Sequence, residues 1–142
     1  MEDQQKLEQM VNELNMYKSQ SELLQQEIAN VQQTIAEVNT LKSTIEDMKK
    51  QENVEALVPV GAGSFMNAEI KNDNKIVMSI GAGVAVVKNY DEAEKTAESQ
   101  KKQLEDSLAN LYNNLQQISD VVAQLSPQAE QLMLKIQQNR VH

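Results

Sequence analysis

Few residues in this 142-residue chain have the chemistry of a catalytic site. His142 is the only histidine and cysteine is absent, so a thiol nucleophile or a site built from Cys and His ligands lacks its parts. The carboxylates are spread along the chain, and a pair such as Asp91-Glu92 is typical of a solvated helix start. We therefore predict no enzyme, no catalytic residue, no cofactor and no metal site, with His142 exposed to solvent.

One motif suggests cofactor chemistry. Residues 75–86, KIVMSIGAGVAV, resemble the strand and glycine turn of a dinucleotide-binding fold. However, Val86 stands where the third glycine belongs, no further strands follow, and the same Gly-Ala-Gly triplet occurs at 61–63. A hairpin turn explains both copies, and a nucleotide-dependent enzyme is kept only as a rival hypothesis that rests on residues 81–86.

The glycine triplets lie in a region whose sequence is typical of β-strands. Short apolar runs bounded by turn residues predict four strands, and Asn72-Asp73-Asn74 would join two hairpins. Four short strands expose unpaired edges, which predicts an obligate oligomer that borrows partner strands. The strands are expected at about 56–60, 64–70, 75–80 and 84–88. The residues predicted to carry oligomerisation are Val58, Val60, Phe65, Ile70, Ile76, Met78, Ile80, Val84 and Val86.

Both flanking segments repeat apolar residues at alternating spacings of three and four. From Leu7 to Val38 this heptad pattern continues for more than four repeats, and only Ser21 interrupts it. A second pattern of the same kind leads from Tyr90 to Ile136. Each pattern forms an apolar stripe, here called the seam, along one helix. The chain is thus divided into an N-terminal coiled-coil helix at 1–53, two β-hairpins at 54–89 and a C-terminal coiled-coil helix at 90–142.

The two helical segments are equal in length, which predicts that they pair with each other. If the chain folds back on itself, facing residue numbers add up to about 143, so that Leu7 lies beside Ile136 and Ile28 beside Leu115. The seams then match along their whole length. The predicted fold class is α+β, mostly α: a long antiparallel intramolecular coiled-coil hairpin with two β-hairpins at one end and both chain termini at the other.

Charge and hydropathy limit the partners. The net charge is −8 and no basic cluster occurs, so nucleic acid is not expected as a partner. No apolar run approaches the roughly 20 residues that span a bilayer, and the polar start MEDQQKLEQM does not read as a signal peptide. With no cysteine, we expect a cytoplasmic protein that does not bind membranes.

Apolar residues outside the seam collect near the two chain ends. Met133 and Leu134 lie beside seam residues in the second helix, and Val11 and Met16 lie outside the seam in the first. Exposed apolar groups normally mark a contact surface, and Met suits one that accepts varied partners. A second interpretation stays open, in which these residues wrap around the seam at a frayed end.

The central segment, placed between two matched coils, resembles the alpha class of the prefoldin family in its archaeal form. The resemblance rests on LVPVGAG at 57–63, the Asn72-Asp73-Asn74 turn and VMSIGAGVAV at 77–86. It covers essentially the whole chain. A single Gly-Ala-Gly means little, but two in this order between equal coils are specific, and two hairpins point to the alpha rather than the beta class.

This resemblance implies a chaperone subunit. Such subunits form a hexamer of two alpha and four beta chains, in which the hairpins assemble an oligomeric β-barrel and the distal tips of the coiled coils bind unfolded or nascent polypeptides. The clients then pass to a group II chaperonin without use of ATP. A structural coiled-coil spacer or scaffold that binds one folded partner is the alternative. The residues that the resemblance and their position assign to client contact are Leu7, Met10, Val11, Leu14, Leu132, Met133, Leu134 and Ile136.

Overall fold

The computed structural model describes residues 2–141, so the prediction for His142 lies outside the described residues. The chain contains two long helices with two small antiparallel β-hairpins between them in sequence, which confirms the predicted fold class. Contacts divide it into a terminal unit, Met1–Gln33 with Glu105–His142, and a hairpin unit, Thr34–Leu104. The elements are α1 Glu2–Lys49, β1 Asn53–Gly61, β2 Ser64–Lys71, β3 Ile76–Gly81, β4 Val84–Lys88 and α2 Tyr90–Val141.

The heptad pattern predicts which side chains the helices bury. Every predicted seam residue is buried or half-buried, including Ser21, while most residues between them are exposed. Ile28 and Val38 are among the buried members in α1, and Ala129 is one in α2. This is the burial pattern of paired helices whose a and d positions face each other. Sequence analysis missed one seam position, Ala93, which is fully buried.

In the terminal unit the helices run antiparallel. The Nζ atom of Lys135 lies 3.6 Å from Oδ2 of Asp3, so the first turn of α1 meets the last turns of α2. Further along, the side-chain amide of Gln32 donates to the Tyr112 hydroxyl at 2.7 Å. From the first of these contacts to the second, the residue number rises in α1 and falls in α2, as the predicted antiparallel pairing requires.

In the hairpin unit, ion pairs between α1 and α2 show that the helices run antiparallel there too. Lys49 Nζ lies 2.7 Å from Oδ1 of Asp91 and 2.9 Å from Oε2 of Glu94, and Lys42 pairs with Glu98. The hydrogen bond from Lys49 lowers the pKa of Asp91, and the one from Lys42 lowers the pKa of Glu98. Exposed pairs of this kind stabilise little, so their main consequence is to favour one register of the two helices.

Each β-hairpin forms its own two-stranded sheet. β1 pairs with β2 and β3 with β4, and each ladder has an irregularity just before its turn. The turns are Ala62-Gly63 and Ala82-Gly83, and all four residues have positive φ. Two consecutive residues of this kind give the hairpin turn whose twist matches that of the strands. The Gly-Ala-Gly triplets are therefore turns, as predicted from their repetition.

Asn72, in the linker between the hairpins, joins the ends of both helices. Its side-chain nitrogen donates to the carbonyl oxygens of Met48 and Gln51, at and just beyond the end of α1. Its side-chain oxygen accepts a hydrogen bond from the Tyr90 hydroxyl at 2.6 Å. The last carbonyls of a helix lack intrahelical partners, so one side chain satisfies groups at the end of α1 while it holds the first residue of α2.

Two more asparagines define the start of α2. Asn89 accepts a hydrogen bond from the Glu92 backbone N–H at 2.8 Å, and the Glu92 carboxylate accepts one from the Asn89 side chain at 3.1 Å. Asn74 accepts one from the Tyr90 backbone N–H at 3.1 Å. These bonds partner N–H groups that a helix leaves free at its first turn, so the linker fixes where α2 begins.

A small apolar core attaches the second hairpin to the helices. It contains one residue of α1, one of β3 and two of α2, and Leu41, Met48 and Ile76 pack around it. Because it draws on three elements, it fixes the hairpin to both helix ends. Its buried members are Ile45, Met78, Tyr90 and Ala93.

Asn72→Ala should destabilise the hairpin unit more than a neighbouring substitution does. It removes the side-chain partner of the Gln51 carbonyl oxygen and of the Tyr90 hydroxyl, and one of the two hydrogen bonds that the Met48 carbonyl oxygen accepts, which we expect to cost about 1–3 kcal/mol. Hydrogen exchange of the backbone amides around residues 48–53 and 90–93 measures the loss. Asp73→Ala, one residue away at an exposed position, is the control, and equal protection in the two variants would contradict the role of Asn72.

Candidate functional site

The eight residues predicted to contact clients all belong to the terminal unit, and they divide into two groups. Three of them lie outside the seam and are exposed: Val11 by 40%, Met133 by 48% and Leu134 by 58%. We call these three the terminal patch. The other five are seam residues that are half-buried between the helices, namely Leu7, Met10, Leu14, Leu132 and Ile136.

The terminal patch differs from the seam in what it can bind. Its side chains are apolar, unpaired with the opposite seam and open to solvent, and one of them is a flexible, polarizable Met. The Asp3–Lys135 ion pair lies between the same two helices, nearer the start of α1 and the end of α2. Such a surface offers apolar contact without directional groups, which allows partners of varied sequence.

Sequence analysis did not assign every exposed apolar residue of the terminal unit. Leu23 is exposed by 66% and Tyr112 by 46%, and both lie outside the seam. Met16 was noted as lying outside the seam and is exposed too. Leu23 could have been found from the heptad pattern, because it is a leucine at a position that the pattern directs to solvent.

The hairpin β1–β2 exposes apolar side chains on both faces. On one face, Val58 stands opposite Met66, and Val54 opposite Ile70, with Ala56 between the two valines. On the other face, Leu57 and Phe65 are exposed near the turn. A two-stranded sheet with apolar groups on both faces buries little area in its own chain. Its exposed apolar side chains include four of the predicted oligomerisation residues, Val58, Val60, Phe65 and Ile70.

Beside the helix ends, away from its turn, the hairpin β3–β4 presents only one apolar face to solvent. Val77 stands opposite Val87, and both are exposed, Val77 by 67%. The opposite face turns toward the helices of the same chain: Met78 is only 7% exposed and Val86, its partner across the ladder, is half-buried.

The predicted oligomerisation residues of this hairpin differ in exposure. Met78 is a member of the core that packs on α1 and α2, and the half-buried Ile76 packs against that core. Ile80 and Val84 are exposed. Exposed apolar residues of the hairpins outside the predicted set are Leu57, Met66, Val77 and Val87. Alternation along the strands separates the two faces of β3–β4, but it does not say which face the helices cover.

Residues 2–141 contain no candidate metal site and no candidate membrane-spanning helix. Within residues 2–141, no three His, Cys, Asp or Glu side chains stand close enough together to hold a metal ion. No helix in that range combines the length and the hydropathy that crossing a bilayer demands. The candidate functional sites in this range are therefore the exposed apolar surfaces described above.

Comparison with known proteins gives one consistent result. Residues 17–135 match the family described as prefoldin subunit. Prefoldin subunit alpha of Methanobrevibacter smithii is 50% identical over 139 residues, which cover 98% of this chain and 95% of that protein. Prefoldin subunit alpha of Pyrococcus horikoshii is 30% identical over 131 residues, which cover 91% of this chain and 88% of that protein.

A solved structure shows the same fold. A cryo-EM structure of filamentous PFD from Methanocaldococcus jannaschii superposes with a TM-score of 0.53 at 25% identity. The alignment covers 87% of this chain and 97% of that one.

Two neighbouring residues of β3 test which face of the hairpin is free. Met78→Asp places a carboxylate in the core and should destabilise the hairpin unit by about 2–5 kcal/mol. Val77→Asp changes an exposed side chain and should alter the stability of the isolated chain by no more than about 0.5 kcal/mol. Urea unfolding followed by circular dichroism compares them, and equal losses would show that the assigned faces are wrong.

Proposed function

Because the chain belongs to the prefoldin family of chaperone subunits, in its alpha class, we propose that it binds unfolded or nascent polypeptides and delivers them to a group II chaperonin without using ATP. The observation that carries this proposal is the terminal patch, which is apolar and exposed in the part of the chain where the first turn of α1 meets the last turns of α2. The lack of cysteine fits action in the reducing cytoplasm.

The chemistry of the terminal patch suits unfolded chains. An unfolded polypeptide exposes apolar side chains that a folded protein would bury, and it offers them in no fixed order. A patch of Val, Met and Leu without charged partners can accept any of them, because the hydrophobic effect is not directional. The five half-buried seam residues beside the patch would contribute where their edges remain open.

The partner proposed for the hairpins is the beta class of the same family, in a hexamer of two alpha and four beta chains. The exposed apolar faces of both hairpins support this proposal, as do strand edges that find no partner strand within residues 2–141 beyond their own hairpin. Strands from another chain would cover the faces and pair the edges, and closing them into a β-barrel would remove the edges.

Weak contacts, repeated over several subunits, account for transfer without a chemical energy source. When one contact opens, the others hold the client near it at high effective concentration, so the complex binds tightly while each contact exchanges quickly. A chaperonin that offers a competing surface can then take over the client contact by contact. The proposed transfer requires only differences in affinity.

Polar substitution of the terminal patch tests client binding. The variant Val11→Gln, Met133→Gln, Leu134→Gln should fold and assemble normally, since all three side chains are exposed, but it should weaken client capture about tenfold or more. The measurement is suppression of aggregation of a denatured test protein by the complex with a candidate beta subunit. Asn12→Gln with Gln131→Asn is the matched control. Unchanged suppression, with binding to one folded partner instead, would favour the spacer hypothesis.

A charge on an exposed apolar residue near the turn of the second hairpin tests assembly. Val84→Asp should leave both helices folded but prevent formation of a hexamer, because assembly would bury an unpaired carboxylate. Size-exclusion chromatography with mass determination, after mixing with a candidate beta subunit, measures the outcome. Gln26→Asp, which adds the same charge to an exposed helical position, should assemble normally. A complex of full mass from the Val84 variant would contradict the proposed interface.

A further inference from the structure

The terminal unit contains an apolar groove that the proposed function has not used. It is an open groove of about 530 Å³ between α1 and α2. Its floor is apolar and consists of Leu14, Tyr17, Ile118 and Val122. Ser21, the one seam residue of α1 that breaks the heptad pattern, also lines the groove. We call this space the seam groove.

Ser21 explains why the groove exists. A seam position normally holds a large aliphatic side chain that fills the space between paired helices. The serine side chain is short, and its hydroxyl accepts a hydrogen bond from the Gln25 side chain at 3.4 Å on the helix surface. The neighbouring seam residues therefore keep apolar surface that no side chain covers. A position that breaks the packing rule of its element is a candidate for a functional role.

The rim of the groove has no net charge. Lys18 and Glu22 carry opposite charges, and Ser119 and Ser126 add hydroxyl groups that both donate and accept hydrogen bonds. In a chain with a net charge of −8, this favours an uncharged occupant. A peptide main chain, whose N–H and C=O groups need partners, suits the rim, and an apolar side chain suits the floor.

The groove continues the terminal patch on the same side of the helices. Lys18 lies seven residues after Val11, and Ser126 lies seven residues before Met133, so each rim residue shares its helix face with a patch residue about 10 Å away. An extended polypeptide spans that distance with about three residues.

We infer that the seam groove is a second subsite for the unfolded client, which takes one large apolar side chain while its rim pairs with the client main chain. This inference rests on the proposed function and extends the client surface inward from the terminal patch. In this inference, Ser21 lowers the stability of the paired helices and leaves room for a client side chain. Filling the groove should therefore have opposite effects on the two properties.

Ser21→Leu tests the inference in the full chain assembled with a candidate beta subunit. The new side chain should raise the midpoint of thermal unfolding of the chain by about 2–5 °C and weaken client binding about tenfold, the loss expected for one apolar side chain that is no longer buried. The probe is a reduced and carboxymethylated test protein, which cannot refold. Binding is measured by fluorescence anisotropy of the labelled probe.

Two further variants keep the result interpretable. Ser126→Leu narrows the groove from α2 and should weaken binding in the same direction, which covers the case in which Ser21→Leu disturbs α1. Ser19→Leu makes the same substitution at an exposed position of α1 and should leave binding unchanged. Unchanged binding in both groove variants would overturn the inference, and so would a changed mass of the complex, because the groove would then contact another subunit.

The terminal-patch variant separates this inference from the proposed function. If the patch variant loses client binding and the groove variants keep it, the subsite is wrong and the proposed function stands. If neither loses binding, both are wrong. Loss in the groove variants together with normal binding by Ser19→Leu supports the subsite.

Discussion

The structure depends on how the chain satisfies the backbone groups where its helices stop. A helix of 48 residues ends at Lys49 and one of 52 residues begins at Tyr90, and each leaves polar groups without intrahelical partners. Asn72, Asn74 and Asn89 supply these partners from the intervening segment. The helices can therefore end at fixed residues beside each other, which sets the register of the seams that follow.

The segment between the two helices contains two hairpins that differ in how much of their apolar surface is buried. β3–β4 is fixed to the helix ends through Met78, which packs with Ile45 and Tyr90, so one of its faces is already buried. β1–β2 keeps apolar groups exposed on both faces. The second hairpin thus has a defined orientation in the isolated chain, whereas full burial of the first requires other strands.

The sequence predicts features that repeat along it, such as the seam and the turns. It does not predict features that depend on one particular contact. Period alone identifies the seam residues, because a helix of regular pitch buries every third or fourth position. The Gly-Ala-Gly repeat likewise locates the two turns. In contrast, Asn72 looks like an ordinary turn residue until its partners at Met48 and Gln51 are known. Ala93, which close helix packing buries fully, was missed beside the start of α2.

Backbone hydrogen bonding explains why the exposed surfaces of one chain serve different purposes. A strand edge carries a row of free N–H and C=O groups, so a partner must match it in direction and register. A helix satisfies those groups internally, and an exposed apolar residue such as Met133 offers only non-directional contact. In the proposed function, pairing at the hairpins would therefore be selective and lasting. Client contact at the terminal patch would tolerate varied sequences and reverse easily, because no ladder of hydrogen bonds would have to break when a client leaves.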